Sequence, residues 1–284
     1  MTLGNGFVAN HLPYSKIQDR IPLAPLKIYD LLSFYHPQVL VNCLGTTGRP
    51  NIDWCQLPEN QAATYMGNVI LPALLGEVCG KLGIHLIHLG SGCIFYGTSG
   101  NCNQSEPWTD RGWKETDLAN PLSYYSKTKY ASDLLLGEAK HITTLRLRMP
   151  ISDQDHPRNL INKLLGYKKV INIPNSMTLM SDLIRCIDWA ANNQPGGIFH
   201  VVNPEPLTAW QIVREYRKYV PEHRASIMDE DELNDTTIAR RSNCLLDGSK
   251  LQSAGFSMSN SREGLEKTIA IYVRNLGGNN GDPV

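Results

Sequence analysis

The sequence predicts an α/β protein: a doubly wound parallel sheet over the N-terminal half, followed by a smaller C-terminal lobe. Three observations lead there. Apolar runs of strand length end in glycine at residues 38–45 and 84–90, a stretch with helical periodicity lies between them, and glycines stand close to the start of the chain. A strand, a helix and another strand in succession favour parallel pairing. With 284 residues, 42% of them hydrophobic, the chain can bury a sizeable core as one large or two smaller domains.

Taken in order, Gly4, Gly6 and Ala9 give a GxGxxA pattern, in which glycine lets a backbone approach a pyrophosphate above a helix N-terminus. With Phe7 and Val8 they form the expected dinucleotide turn of a Rossmann-like sheet. Only Met1 to Leu3 remain for a first strand, and Pro13 stops the following helix early. Either that strand is short or the glycines merely form a turn. A second strand is expected within residues 16–21, ending in Asp19 and Arg20. An acid at this place suits the ribose of NAD and a base the 2′-phosphate of NADP, so Arg20 points to NADPH with NADH left open.

Residues 26–35 read as an amphipathic helix, and residues 38–45 as a buried strand whose end, Cys43, Leu44 and Gly45, faces the expected cofactor. The turn-rich stretch after it carries Thr47, Gly48 and Arg49 at a strand's carboxyl end, where ligands bind in such sheets. A helix over 60–82 carries Asn68. The strand over 84–89 ends at Gly90, which brings a hydroxyl, Ser91, and a thiol, Cys93, to the same crevice. Residues 97–120 make a connection long enough to be a functional loop.

The helix over 123–136 shows its period in Tyr125, Ala131, Leu134 and Leu135. Tyr125 and Lys129, four apart, share one face of it. A neighbouring ammonium lowers a phenol's pKa, so this spacing suits Tyr125 to exchange a proton with a carbonyl oxygen while Ser91 donates a hydrogen bond to it. A strand over 143–149 closes with Met149. From Pro150 the composition changes and the smaller lobe is expected to begin, giving a division into residues 1–150, 151–276 and a disordered tail, 277–284. Within that lobe we expect helices over 180–191 and 209–219 and a strand over 197–202. Arg240 and Arg241, adjacent in a polar turn, suit a diphosphate.

Lys and Arg together number 27, as do Asp and Glu, so no net field draws the chain to nucleic acid or membrane. Its seven cysteines are scattered, without a CxxC pair or Cys/His ligand spacing. This favours a reducing cytoplasm and no metal site. No apolar run reaches about eighteen residues, so no membrane span is expected.

The glycine turn, the strand ending in serine and YxxxK, in this order, resemble the extended short-chain dehydrogenase/reductase superfamily in its sugar-nucleotide-modifying branch. The segments TGRPNIDWC (47–55), GSGCIF (90–95), YYSKTK (124–129), LRLRMPIS (145–152), PRNLINK (157–163) and YKKVINIPNSMT (167–178) are similar to the bifunctional UDP-4-keto-6-deoxyglucose 3,5-epimerase/4-reductase family, related to dTDP-4-dehydrorhamnose reductase and GDP-fucose synthase. The likeness runs over roughly residues 38–270. It implies a sugar nucleotide held between two lobes, contacts from Asn159 and Arg241, and a nicotinamide cofactor. It assigns Ser91, Tyr125 and Lys129 to ketone reduction and Cys93 and Lys163 to epimerisation, with Asn68 behind them. The family also implies a homodimer working downstream of an NDP-glucose 4,6-dehydratase. A plain 4-reductase or epimerase on a dTDP or GDP sugar, and a non-catalytic binding subunit, are the alternatives. The sequence departs from the family in its short first strand, in Arg240 where proline is expected, and in a segment between Met149 and Lys163 about one residue shorter.

Overall fold

The computed structural model describes residues 1–97 and 112–278. Most of the expected loop over 97–120, Cys102 and residues 279–284 lie outside them. Six parallel strands form one sheet, in the order β2 (Lys16–Ile17), β1 (Thr2–Leu3), β3 (Val39–Asn42), β4 (His85–Ser91), β5 (Ile142–Leu147) and β9 (Gly197–Val201). The first strand is short, yet it is a strand. It pairs on both sides, with Thr2 N donating to Ser15 O and Cys43 N to Leu3 O, and the N-terminal amine donates to Val39 O. The glycines therefore follow a true strand and do not form an isolated turn. β2 stops at Ile17, earlier than expected, so Asp19 and Arg20 lie beyond it.

Strand side chains alternate between faces, and each face is apolar here because helices cover both. Val41, Ile87 and Leu145 pack on α1 (Phe7–His11) and α8 (Met180–Asn193). Leu40, Leu86 and Ile142 pack on α2 (Pro25–Tyr35) and α5 (Leu71–Leu82). The loop after β3 contains α3 (Asp53–Gln56). Then α4 (Pro58–Tyr65) continues through a π-helical turn, Met66–Ile70, into α5. This continuous helix, Pro58–Leu82, is long and apolar enough to cross a membrane by length and composition alone, a test that the core helix of a globular fold also passes. Its apolar residues are spread among polar ones rather than forming one run, and it packs as a core helix with Leu71, Leu75, Val78 and Cys79 buried.

α6 (Tyr124–Leu136) corrects the expected helix face. Leu134 and Leu135 are exposed, while Ser126, Thr128, Lys129, Ser132 and Asp133 are buried. The inward side is polar because it faces the end of β4 and Arg146, whose Nε donates to Asp133 Oδ2 at 2.8 Å. Beyond β5, β6 (Pro150–Ile151) pairs with β8 (Thr178–Leu179), and β7 (Lys169–Ile171) with β10 (Ser226–Met228). These short strands, α7 (Leu160–Leu165) and α9 (Ala209–Arg217) enclose a separate apolar cluster that includes Ile161, Val170, Ile212 and Tyr272. α10 (Glu230–Asp235) and α11 (Ser249–Ser253) follow, and α12 (Ser261–Gly278) closes the cluster. Residues 277 and 278, expected in the tail, belong to this last helix, which is longer than the short C-terminal helix expected after the Arg240–Arg241 turn.

Candidate active site

Ser91 ends β4, and its Oγ accepts from Cys93 N at 3.2 Å, which starts a short 3-10 turn over Gly92–Ile94. Ser123 caps α6 in the same way, its Oγ accepting from Ser126 N, and so fixes Tyr125 in the first turn. Tyr125 lies against Ser91. Burial raises its pKa, the neighbouring Cys93 adds to this, and a hydrogen bond with Ser91 opposes it. The expected lowering by Lys129 is therefore not the effect that governs Tyr125. Lys129 turns towards the sheet instead, where its Nζ donates to Leu89 O at 3.0 Å and stands 3.4 Å from His88 Nε2. Burial lowers the pKa of Lys129, with Asp133 and Cys93 opposing.

Cys93 is half-buried, and its Sγ accepts from Arg148 Nη1 at 3.0 Å. Arg148 is itself buried and held by Asn175 Oδ1 at 2.9 Å and by Ser242 O. Sequence reasoning missed it. The alternation of arginine with apolar residues from Leu145 to Met149, running out of the end of β5, was the available sign, but nothing local told which strand end it would meet. Lys163, on α7, is half-buried in the same electropositive region. Burial lowers its pKa, as do Arg158 and Arg241, while Cys93 opposes them. The structure thus gathers Ser91, Cys93, Tyr125 and Lys163 at the carboxyl end of β4, with Lys129 directly beneath.

The cofactor-binding residues expected from the sequence border the same end of the sheet. Gly4 has φ +104°, and a Cβ there would stand 3.3 Å from Leu44 Cδ2. Gly6 caps α1 and has open space where a Cβ would be. The turn leaves room for a phosphate over the first N–H groups of α1, those of Phe7 and Val8. Burial pushes the Cys43 thiol up to about 12. Gly45 lies against Asn68, whose amide grips Thr46 at both N and O and donates to Thr128 Oγ1 at 3.1 Å. Met149 turns the chain between β5 and β6 at φ +42°, unusual for a residue with a Cβ. Arg20 is exposed. Phe7 stacks on His156, centroids 4.8 Å apart, so the segment after β6 lies over the glycine turn.

The expected substrate contacts separate into two kinds. Thr47 and Gly48 are bound by Arg158, whose guanidinium donates to Thr47 Oγ1 and Gly48 O, both at 2.7 Å. Arg49 is exposed. Arg241 forms a two-pronged pair with Asp53, at 2.9 and 2.8 Å. Partial burial works against that carboxylate, yet Arg241 and the Ala239 N–H hold it below its ordinary range. Asn159 is a correction: it is fully buried, caps α7 and spends its amide on Ser152 and Gln154, so it shapes the loop and has no group left for a ligand. A cavity of about 570 Å³ lies elsewhere, lined by His11, Ser152, Met180, Glu263 and Lys267 among others, and none of the gathered residues borders it.

Known proteins resemble this chain over most of its length. A trifunctional UDP-glucose 4,6-dehydratase/UDP-4-keto-6-deoxy-D-glucose 3,5-epimerase/UDP-4-keto-L-rhamnose-reductase of Arabidopsis thaliana is 34% identical over 261 residues, 91% of this chain and 38% of that protein. The chain thus spans well under half of that relative. A bifunctional dTDP-4-dehydrorhamnose 3,5-epimerase/dTDP-4-dehydrorhamnose reductase of the same plant is 36% identical over 236 residues, 82% of this chain and 76% of the relative. Among solved structures, the UDP-rhamnose synthase of Acanthamoeba polyphaga mimivirus superposes with a TM-score of 0.82 at 28% identity, covering 90% of each chain. A dTDP-4-dehydrorhamnose reductase of Clostridium acetobutylicum shares the fold, with a TM-score of 0.79 at 18% identity over 97% of this chain and 98% of its own. The model of the RmlD substrate binding domain matches residues 23–274, and the chain belongs to that family.

Proposed function

We propose that the chain is an NAD(P)H-dependent enzyme that epimerises an NDP-4-keto-6-deoxyhexose on both sides of its ketone and then reduces the ketone, as in the conversion of UDP-4-keto-6-deoxyglucose to UDP-rhamnose. The observation that carries this reading is the meeting of Ser91 and Tyr125 with Cys93 and Lys163 at the carboxyl end of β4. A ketone acidifies the C–H bonds on either side of it, and inversion there needs a base on one face and an acid on the other. Cys93, in contact with Arg148, and Lys163 supply the two groups. Tyr125, its pKa raised by burial, stays protonated at neutral pH and gives its proton to the ketone oxygen, which Ser91 orients.

The nicotinamide cofactor supplies the hydride. Gly4, Gly6, Phe7 and Val8 fit its diphosphate, Cys43, Leu44, Gly45 and Met149 border it, Arg20 is the residue for a 2′-phosphate, and Lys129 takes the nicotinamide ribose. Thr47, Gly48, Arg49 and Arg241 face the sugar nucleotide. On this reading residues 1–150 form the cofactor domain and 151–276 the substrate lobe, with β9 returning to the sheet. The exposed pair Leu134 and Leu135 on α6 supports a homodimer. The free state of all six described cysteines suits the cytoplasm. The ketone must come from a 4,6-dehydratase acting on an NDP-hexose.

The test is to incubate the protein with UDP-4-keto-6-deoxyglucose and NADPH, follow nicotinamide absorbance and identify the product by proton NMR. NADPH consumption with UDP-rhamnose as product is expected. An unepimerised 6-deoxyhexose would leave a simple reductase and remove Cys93 and Lys163 from the mechanism. No consumption with either nicotinamide cofactor, or with dTDP and GDP analogues, would refute the enzymatic reading.

A further inference from the structure

Beneath Lys129 the sheet carries a buried polar chain to which none of the roles above refers. Asn42 at the end of β3 and His88 within β4 are register partners, and both are fully buried. Asn42 Oδ1 accepts from Leu44 N at 3.0 Å, a backbone donor that cannot change its role. The amide must therefore turn its NH2 to the ring, so Asn42 Nδ2 donates to His88 Nδ1 at 3.0 Å. A ring nitrogen that accepts carries no proton, which puts the one hydrogen of the neutral imidazole on Nε2. Complete burial, with the Lys129 charge beside it, keeps this ring neutral.

At Nε2, Ser132 Oγ stands at 3.3 Å and Lys129 Nζ at 3.4 Å. The serine oxygen can take the Nε2–H. The ammonium has donors only, so it meets an N–H where it would otherwise find a lone pair. Its bond within the sheet is the one to Leu89 O.

We propose that His88 is a positioning residue for Lys129: the Asn42–His88 pair presents a donor instead of an acceptor, denies the lysine a second tether, and leaves its remaining N–H groups for the crevice. The inference rests on the cofactor role given to Lys129 above. The other charged and titratable groups around the lysine are Asp133 on α6, itself bound to Arg146 of β5, Cys93 after β4, and Tyr125 one helical turn earlier.

Two measurements on the full chain test it. Nitrogen-15 spectra of histidine-labelled protein need neither substrate nor activity. They should contain a ring in the Nε2–H form that does not titrate between about pH 5 and 8, and its signals should vanish in His88→Gln. If the ring whose signals vanish in His88→Gln is instead in the Nδ1–H or doubly protonated form, the proposal is overturned; His200, whose Nδ1 donates to Asp247 O, supplies a separate Nδ1–H signal that this variant keeps. The second measurement uses Asn42→Asp, whose carboxylate would take the proton on Nδ1 and convert Nε2 to an acceptor for Lys129. Because burial lowers Lys129 and raises Tyr125, Lys129 titrates first as pH rises. The alkaline limb of NADPH consumption should therefore move up by about one pH unit, and the plateau rate should fall roughly tenfold as the ammonium is tethered. His88→Gln, whose amide oxygen can also accept, should shift the limb the same way if Asn42→Asp does not fold. An unmoved limb in a variant that melts like the parent would refute the role. If the parent consumes no NADPH, the proposed function fails by itself, and the spectrum with the pH dependence of NADPH affinity still decides the inference.

Discussion

Gly90→Ala is the perturbation whose cost can be read most directly from the geometry. Gly90 lies in β4 one residue before Ser91 and pairs with Arg146 of β5. A Cβ there would stand 2.9 Å from Thr144 Cγ2, 3.1 Å from Arg146 Cγ and 3.4 Å from Asp133 Oδ1. None of these neighbours is free to retreat. Arg146 is held by Asp133, β4 is flanked by β3 and β5, and β5 by β4 and β9. Overpacking of this kind costs about 1–3 kcal/mol, and in a chain of this size that lowers Tm by roughly 2–12 °C. Relief by movement of β4 would shift Ser91, so NADPH consumption should also fall, by roughly tenfold. Thr144→Ser removes the methyl group nearest the new Cβ and keeps the hydroxyl. The double variant should therefore recover much of the loss, as a thermal-melt double-mutant cycle would show. A Gly90→Ala protein that melts with its parent, or a Thr144→Ser change that only adds its own loss, would refute the reasoning.

Cys93→Ser should reduce exchange of the protons beside the ketone with deuterated solvent by about 10²–10⁴-fold, yet leave reduction of a pre-epimerised ketone; unchanged deuterium incorporation by NMR would remove Cys93 from the mechanism. Asp133→Asn strands the buried Arg146 guanidinium and should cost about 3–5 kcal/mol in denaturant unfolding. Because Asp133 also supports the Lys129 charge, the alkaline limb of activity should move down in this variant. His200 is lowered to about 3 by burial first and by Arg146 second, from an ordinary 6.5. Below pH 6.5 the unfolded chain binds a proton that the folded chain refuses, so stability present at neutral pH is lost as pH falls towards 3, at up to about 1.4 kcal/mol per pH unit from this group. His200→Gln should flatten the acid side of a melting-temperature profile, and an equally steep profile would discount the residue.

The sheet was legible because buried parallel strands write themselves as apolar runs that end in glycine, and the meeting of Ser91 with Tyr125 follows from that topology plus a four-residue helical spacing. What local pattern could not give was partnership across the chain. Arg148 looks like an ordinary strand-end arginine until β4 brings Cys93 to its guanidinium. Lys129 shares a face with Tyr125 as its spacing requires, yet the ammonium follows Leu89 O into the sheet. The leucines at 134 and 135 read as the packed stripe of α6, whereas the packed side is polar because it meets Arg146 and His88. The family likeness gives Asn159 to the ligand, whereas its amide closes its own loop. Each of these depends on a neighbour far away in sequence, which periodicity does not encode.

The five-residue π turn at Met66–Ile70 has a consequence for how this chain can be aligned and altered. An α-helix advances roughly 100° per residue, so one surplus residue acts as a phase step between its two halves. α5 keeps its packing against α2 and β4, while α4 is rotated independently, and Asn68 within the step reaches Thr46 on one side and Thr128 on the other. Removing a single residue there would restore plain α-helical winding and swing α4 by about 100°. It would carry Asn68 off both partners while every downstream contact kept its register. The helix therefore behaves as two gears on one shaft, and a one-residue gap in this stretch is a change of angle in the crevice wall rather than a change of length.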